Sequence, residues 1–194
     1  MLPLDTLSSE VVETDFLVPD GRALSHTEAW SMGGIHHQDP SAGLMYQLWT
    51  ATLAGEVIEV SSSGTREGPY VVPLMGPPGD VRSMSLSFDQ NMNLAVAYNI
   101  GNISYLYWYD VSINAYTTAG FPSSRSPRIT LDDKRTATGE WSDMVLFTIH
   151  DDKLCWRYQR ERFENLHTGP TVKQGQRIIR AGMTKGLRVR IDLI

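Results

Sequence analysis

The chain has 194 residues, of which 41% are hydrophobic and 20% charged, and a formal net charge of −5. That is enough for one large domain or two small ones with a real core, and no apolar run is long enough to cross a bilayer, so a membrane role is not expected. The single cysteine, Cys155, excludes an intrachain disulfide and a cysteine-based zinc site.

Residues 1–22 are acidic and polar, with a short apolar stretch (Phe16-Leu17-Val18) before the turn signal Pro19-Asp20-Gly21. They read as an extended N-terminal arm. The start, Met1-Leu2-Pro3-Leu4-Asp5, has neither the basic nor the apolar region of a signal peptide, so folding in a cytoplasm is expected. His36-His37-Gln38-Asp39 offers metal-ligand chemistry, but adjacent histidines on a strand point to opposite faces and no second cluster lies at ligand spacing. It reads as a surface loop, and no metal or other cofactor is expected. Gly33-Gly34 is a lone pair, and no nucleotide-binding or nucleophile-elbow fingerprint is present.

From Leu44 the pattern becomes strand, tight turn, strand. The runs Leu44–Trp49, Leu94–Tyr98 and Met144–Ile149 start 50 residues apart. Each leads through a turn (Ala54-Gly55, Gly101-Asn102, Asp151-Asp152-Lys153) into a second strand: Glu56–Val60, Ile103–Asp110 and Leu154–Arg160. Gly, Asn and Asp tolerate the positive φ that two-residue hairpins require. The middle unit reads as four strands. Ser83–Phe88 alternates serine with Met84, Leu86 and Phe88, the period of a half-buried strand. Leu94–Ile100 is central, Ile103–Val111 carries aromatics on both faces, and Tyr116–Phe121 closes the unit. A final hairpin joins Ile178–Met183 to Leu187–Ile194 through Thr184-Lys185-Gly186.

Meanders at this period are the signature of propeller blades. The expectation is an all-β domain over 23–194 with three blade-like units (23–80, 81–125, 126–194), a partial β-propeller, the alternative being a β-sandwich. Three blades are too few to close a ring, which points to oligomerisation.

Charge is segregated along the chain. Residues 1–60 hold nine acids and one base, Arg22, whereas residues 153–190 hold ten bases against Glu161 and Glu164. The bases alternate with apolar residues along strands and lack the stacking motifs of nucleic-acid binders. The acidic and basic ends are therefore expected to meet each other, within one chain or between neighbours, in preference to nucleic acid. On this basis the candidate partner contacts are Phe16, Leu17, Val18, Arg157, Arg160, Arg162, Arg177, Arg188 and Arg190.

Two chemistries compete with a purely structural role. Tyr105, Tyr107, Trp108 and Trp141 could stack a glycan, although such a strip more often packs a sheet. Asp132 and Asp133 could serve a sialidase-like hydrolase, although Lys134 and Arg135 beside them suit a solvated loop. Thr138-Gly139-Glu140-Trp141 lacks the spacing of a sialidase Asp-box.

The last 70 residues carry a resemblance. Ser126–Arg135 and Ser142–Phe147 lead into Asp152-Lys153-Leu154-Cys155-Trp156-Arg157-Tyr158-Gln159-Arg160-Glu161-Arg162-Phe163, and Ala181–Arg188 follows. These strands resemble a class of virion structural protein from tailed bacteriophages, over about a third of the chain, with departures at Lys153, Cys155 and Trp156. The resemblance implies a non-catalytic, tail-associated virion component, made in the host cytoplasm and assembled with copies of itself and other virion proteins.

Overall fold

The computed structural model describes residues 22–23, 28–35, 46–62, 69–132, 142–183 and 189–194. Among these the chain is all-β, and its strands form four antiparallel sheets with no helix beyond short 3-10 turns. The first sheet runs β1 (Arg22–Ala23), β2 (Glu28–Ile35), β3 (Tyr46–Ala54), β4 (Val57–Ser62), β5 (Tyr70–Pro73). The second runs β6 (Val81–Phe88), β7 (Leu94–Ile100), β8 (Ile103–Asp110), β9 (Ala115–Pro122). The third runs β10 (Ser124–Asp132), β11 (Asp143–His150), β12 (Lys153–Tyr158), β13 (His167–Thr171). The fourth has two strands, β14 (Ile178–Met183) and β15 (Val189–Leu193).

Local chemistry makes these meanders. The three turns expected from sequence all appear, with φ of 62° at Gly55, 57° at Gly101, and 48° and 54° at Asp151 and Asp152. A positive φ at these positions lets the turn twist match that of the flanking strands. One residue, Ser123 with φ 54°, separates β9 from β10. The Ser124 hydroxyl donates to the Phe121 carbonyl at 2.8 Å, and Asn99 Nδ2 donates to the Ser124 carbonyl at 3.1 Å, which fixes that passage between sheets.

The sheets stack in sequence order with an apolar layer in each gap. Ile58, Val60 and Val72 meet Met84, Leu86, Val96 and Tyr98 between the first and second sheets. Ala95, Ala97, Leu106 and Trp108 meet Ile129, Leu131, Met144 and Leu146 in the next gap. Val145, Phe147 and Ile149 meet Ile178, Ala181 and Ile191 in the last. The innermost strands touch in a circuit: β2 with β6, β6 with β10, β10 with β14, and β1 with both β14 and β6.

Two expectations change here. The unit drawn over 126–194 is two sheets. After β13 the chain turns at Gly175 (φ 84°), with the Gln176 N–H on the Lys173 carbonyl at 3.0 Å, and β14 stacks against β10 without pairing beside β13. Four sheets result, so the argument that three units are too few to close a ring falls away. The serines of β6 do not face solvent, since Ser85 and Ser87 are buried. Ser85 Oγ accepts the Ile129 N–H at 3.1 Å, so a small side chain there lets β10 come close.

Candidate functional site

Residues 152–163 form a clasp at the end of β12. A 3-10 turn over Gln159–Glu161 follows the strand, and Arg162 and Phe163 then take φ of 53° and 58°. That reversal drives the Phe163 ring into the second apolar layer, where it is fully buried and meets Trp108 edge-on at 5.3 Å. Three arginines expected to reach partners are engaged within the chain. Arg157 Nη1 donates to the carbonyls of Phe163 (3.0 Å) and Glu164 (2.6 Å), and its guanidinium lies 4.7 Å from the centre of the Phe121 ring. Burial pushes its pKa down. Arg162 donates through Nε and Nη2 to Asp110 Oδ2 at 3.2 and 2.9 Å, tying the third sheet to the second. Arg160 pairs with Asp143 at 3.2 Å and covers the Tyr158 ring.

The two carboxyls of the clasp titrate in opposite directions. The Ser112 hydroxyl and amide, helped by Arg162, hold Asp110 below the usual carboxylate range in spite of its burial. Burial raises Asp143, against the pull of the Arg160 backbone N–H and guanidinium.

A cleft of about 220 Å³ opens where the two-stranded fourth sheet stops short of the four-stranded third. Leu154, Trp156 and Tyr158 of β12 form its floor, and Val189 and Ile191 of β15 form one wall. His167 on β13 stacks on Trp156 (5.8 Å, 12° between planes) and bonds Glu161 at 2.7 Å. Gly169 is required beside this floor: a Cβ there would sit 2.9 Å from the Trp156 ring and 3.0 Å from the Leu154 carbonyl oxygen. Asp132 sits at the rim, directly opposite Asp143 in the β10–β11 register. Its proposed companion Asp133 lies outside the described residues.

The glycan-stacking set is not brought together. Tyr105 and Tyr107 share one face of β8, toward the first sheet, whereas Trp108 is 5% exposed on the opposite face. Alternation along the strand makes that separation unavoidable. Tyr116 joins the outer ladder instead, stacked on Tyr107 at 5.0 Å with planes 2° apart. Trp141, Phe16, Leu17, Val18 and Arg188, together with His36 and His37, lie outside the described residues. Arg177 is exposed, and Arg190 pairs with Asp192 at 2.9 Å. Among the described residues, no three His, Cys, Asp or Glu side chains converge as metal ligands would.

Residue-type reasoning missed Arg128. It is buried at the centre of the stack, donating through Nη1 to the Pro127 carbonyl at 2.6 Å and, at 3.4 Å, to the Met84 carbonyl and the Ser83 hydroxyl. Its Nε reaches the Ile179 carbonyl at 3.3 Å, so one side chain joins the second, third and fourth sheets. Burial lowers its pKa to about 10, which leaves it charged at neutral pH. The available signal was a base within a strand of small and apolar residues, directly after a proline. No family model, curated protein or solved structure matches this chain.

Proposed function

We propose that this chain is a non-catalytic structural component of a tailed-bacteriophage virion, associated with the tail, that works by assembling with copies of itself and with neighbouring virion proteins. The observation that carries the assembly reading is an uncovered acidic and apolar row on the outer face of the first sheet. Glu28, Thr52, Glu59 and Val71 lie side by side across β2 to β5. Ile58 and Val60 on the alternate face fill the first apolar layer, so this row points away from it. Although β1 reaches β14, the chain leaves Glu28 and Glu59 exposed and Val71 55% exposed.

Lys173 and Arg177 are exposed beside the fourth sheet. An acidic face on the first sheet and separate exposed bases suit a heterologous contact between copies, which makes rings when the rotation closes. The virion assignment itself rests on the resemblance of Ser126–Arg188.

Light scattering at low and high salt tests the assembly reading. An oligomer is expected at low salt and should weaken as salt screens the contact. Glu59→Lys and Arg177→Glu should each weaken it, and the two together should restore it. A monomer under every condition overturns the proposal.

A further inference from the structure

The centre of the stack holds a positive charge that the described residues do not neutralise, and we propose that Arg128, with Arg177 beside it, binds a small free oxyanion of the inorganic phosphate or sulfate type. Arg128 is 4% exposed. Its bonds all go to neutral oxygens, the carbonyls of Met84, Pro127 and Ile179 and the Ser83 hydroxyl. Nε and Nη1 make every one of them, so among the described residues Nη2 has no acceptor. The carboxylates next to this region are already engaged: Asp152 pairs with Arg125 at 2.7 Å and Asp80 with Arg82 at 3.7 Å. Burial, and after it the Arg177 guanidinium, lower the pKa of Arg128, and no carboxylate pulls the other way. Carbonyl dipoles solvate such an ion but do not cancel its charge, and a buried cation without a counter-charge is strongly destabilising.

The backbone is shaped around this guanidinium. Each of the three strands that meet here breaks its register beside it: β6 between Val81 and Ser83, β10 between Arg125 and Arg128, and β14 between Ile178 and Arg180. Ser83, Pro127 and Ile179, which sit at those breaks, are three of the four residues that bond Arg128. Bulges re-aim side chains and collect at binding sites.

These groups select the ligand. A planar guanidinium matches the paired oxygens of an oxyanion, and two adjacent positive charges suit a doubly charged one. The Ser83 hydroxyl, which accepts from Arg128, keeps its own O–H to donate. The burial of Arg128 restricts the occupant to a small ion. Arg177 is exposed and directly precedes β14, only two residues before the Ile179 carbonyl, and gives that ion a charged point of entry.

Isothermal titration calorimetry with inorganic phosphate and with sulfate, in chloride buffer of constant ionic strength, tests the site. One ion should bind per chain, whether or not the chain assembles. Arg177→Gln, at an exposed position, should weaken binding about tenfold, the value of one charge-assisted bond. Lys153→Gln, at an exposed base on β12, should leave it unchanged. Saturating phosphate should raise the thermal midpoint by about 5 °C over chloride, a gain that Arg128→Lys loses because it keeps the charge without the fork. If Arg128→Lys does not fold, Arg177→Gln against Lys153→Gln decides. The inference is overturned by the absence of saturable binding, by equal midpoints in phosphate and chloride, or by equal weakening in Arg177→Gln and Lys153→Gln, which would mean diffuse surface attraction.

Discussion

Replacing Phe163 by alanine tests the clasp most directly. The ring is fully buried between the second and third sheets, against Trp108 at 5.3 Å and 78°. Truncating such a side chain costs about 3–5 kcal/mol, from lost transfer energy and the cavity that remains. About 1 kcal/mol of this belongs to the edge-to-face pair. The bonds from Arg157 go to main-chain carbonyls and survive the substitution, so the loss reports the ring alone. Against a typical total of about 5–15 kcal/mol, about a fifth or more of the stability should disappear. The backbone adds a second signature. Residue 163 has φ of 58°, where glycine is more comfortable than alanine by about 1 kcal/mol. Phe163→Gly should therefore be no worse than Phe163→Ala, contrary to the order expected in an ordinary strand. Urea unfolding followed by circular dichroism gives both values. A loss below about 1 kcal/mol for alanine, or additivity with Trp108→Leu in a double-mutant cycle, would refute the clasp.

Three further outcomes follow from the same geometry. Arg128→Met removes donors to acceptors in three sheets and should destabilise by at least about 3 kcal/mol, measured by the same unfolding assay; a neutral result would mean that water replaces the guanidinium. Gly169→Ala forces the Trp156 ring or the Leu154 carbonyl aside and should cost about 1–3 kcal/mol, with a shift in tryptophan emission. Asp110 is held below its unfolded value, so its stabilisation is complete above about pH 4 and fades as pH falls through the lower folded value. The stability gap between the wild-type protein and Asp110→Asn should accordingly narrow on acidification. Asp143, raised by burial, has the opposite sign, and Asp143→Asn should not reproduce that narrowing.

Much of the strand layout was legible in the residues themselves. The 50-residue spacing of Leu44, Leu94 and Met144, and the Gly, Asn and Asp turns that follow, are local properties set by side-chain period and by tolerance of positive φ. All-β architecture follows from them. What the alternating pattern could not tell is what faces the second side of each strand. The serines of β6 look solvent-facing by composition but are buried, because β10 approaches closely enough to bond Ser85. Nor could it tell that the final hairpin leaves the third sheet, since stacking β14 on β10 depends on a gap that exists only once three sheets are assembled.

The charges divide in the same way. Sequence determined that bases collect between residues 153 and 190 and acids before residue 60. Tertiary structure decided which bases serve the fold. Arg157, Arg160 and Arg162 bond within the chain, to the carbonyls of Phe163 and Glu164, to Asp143 and to Asp110, even though Arg160 and Arg162 stay more than half exposed. Arg177 stays at the surface. A guanidinium's reach and planar donors suit a clasp and a partner surface equally well, and only the positions of the opposing oxygens distinguish the two.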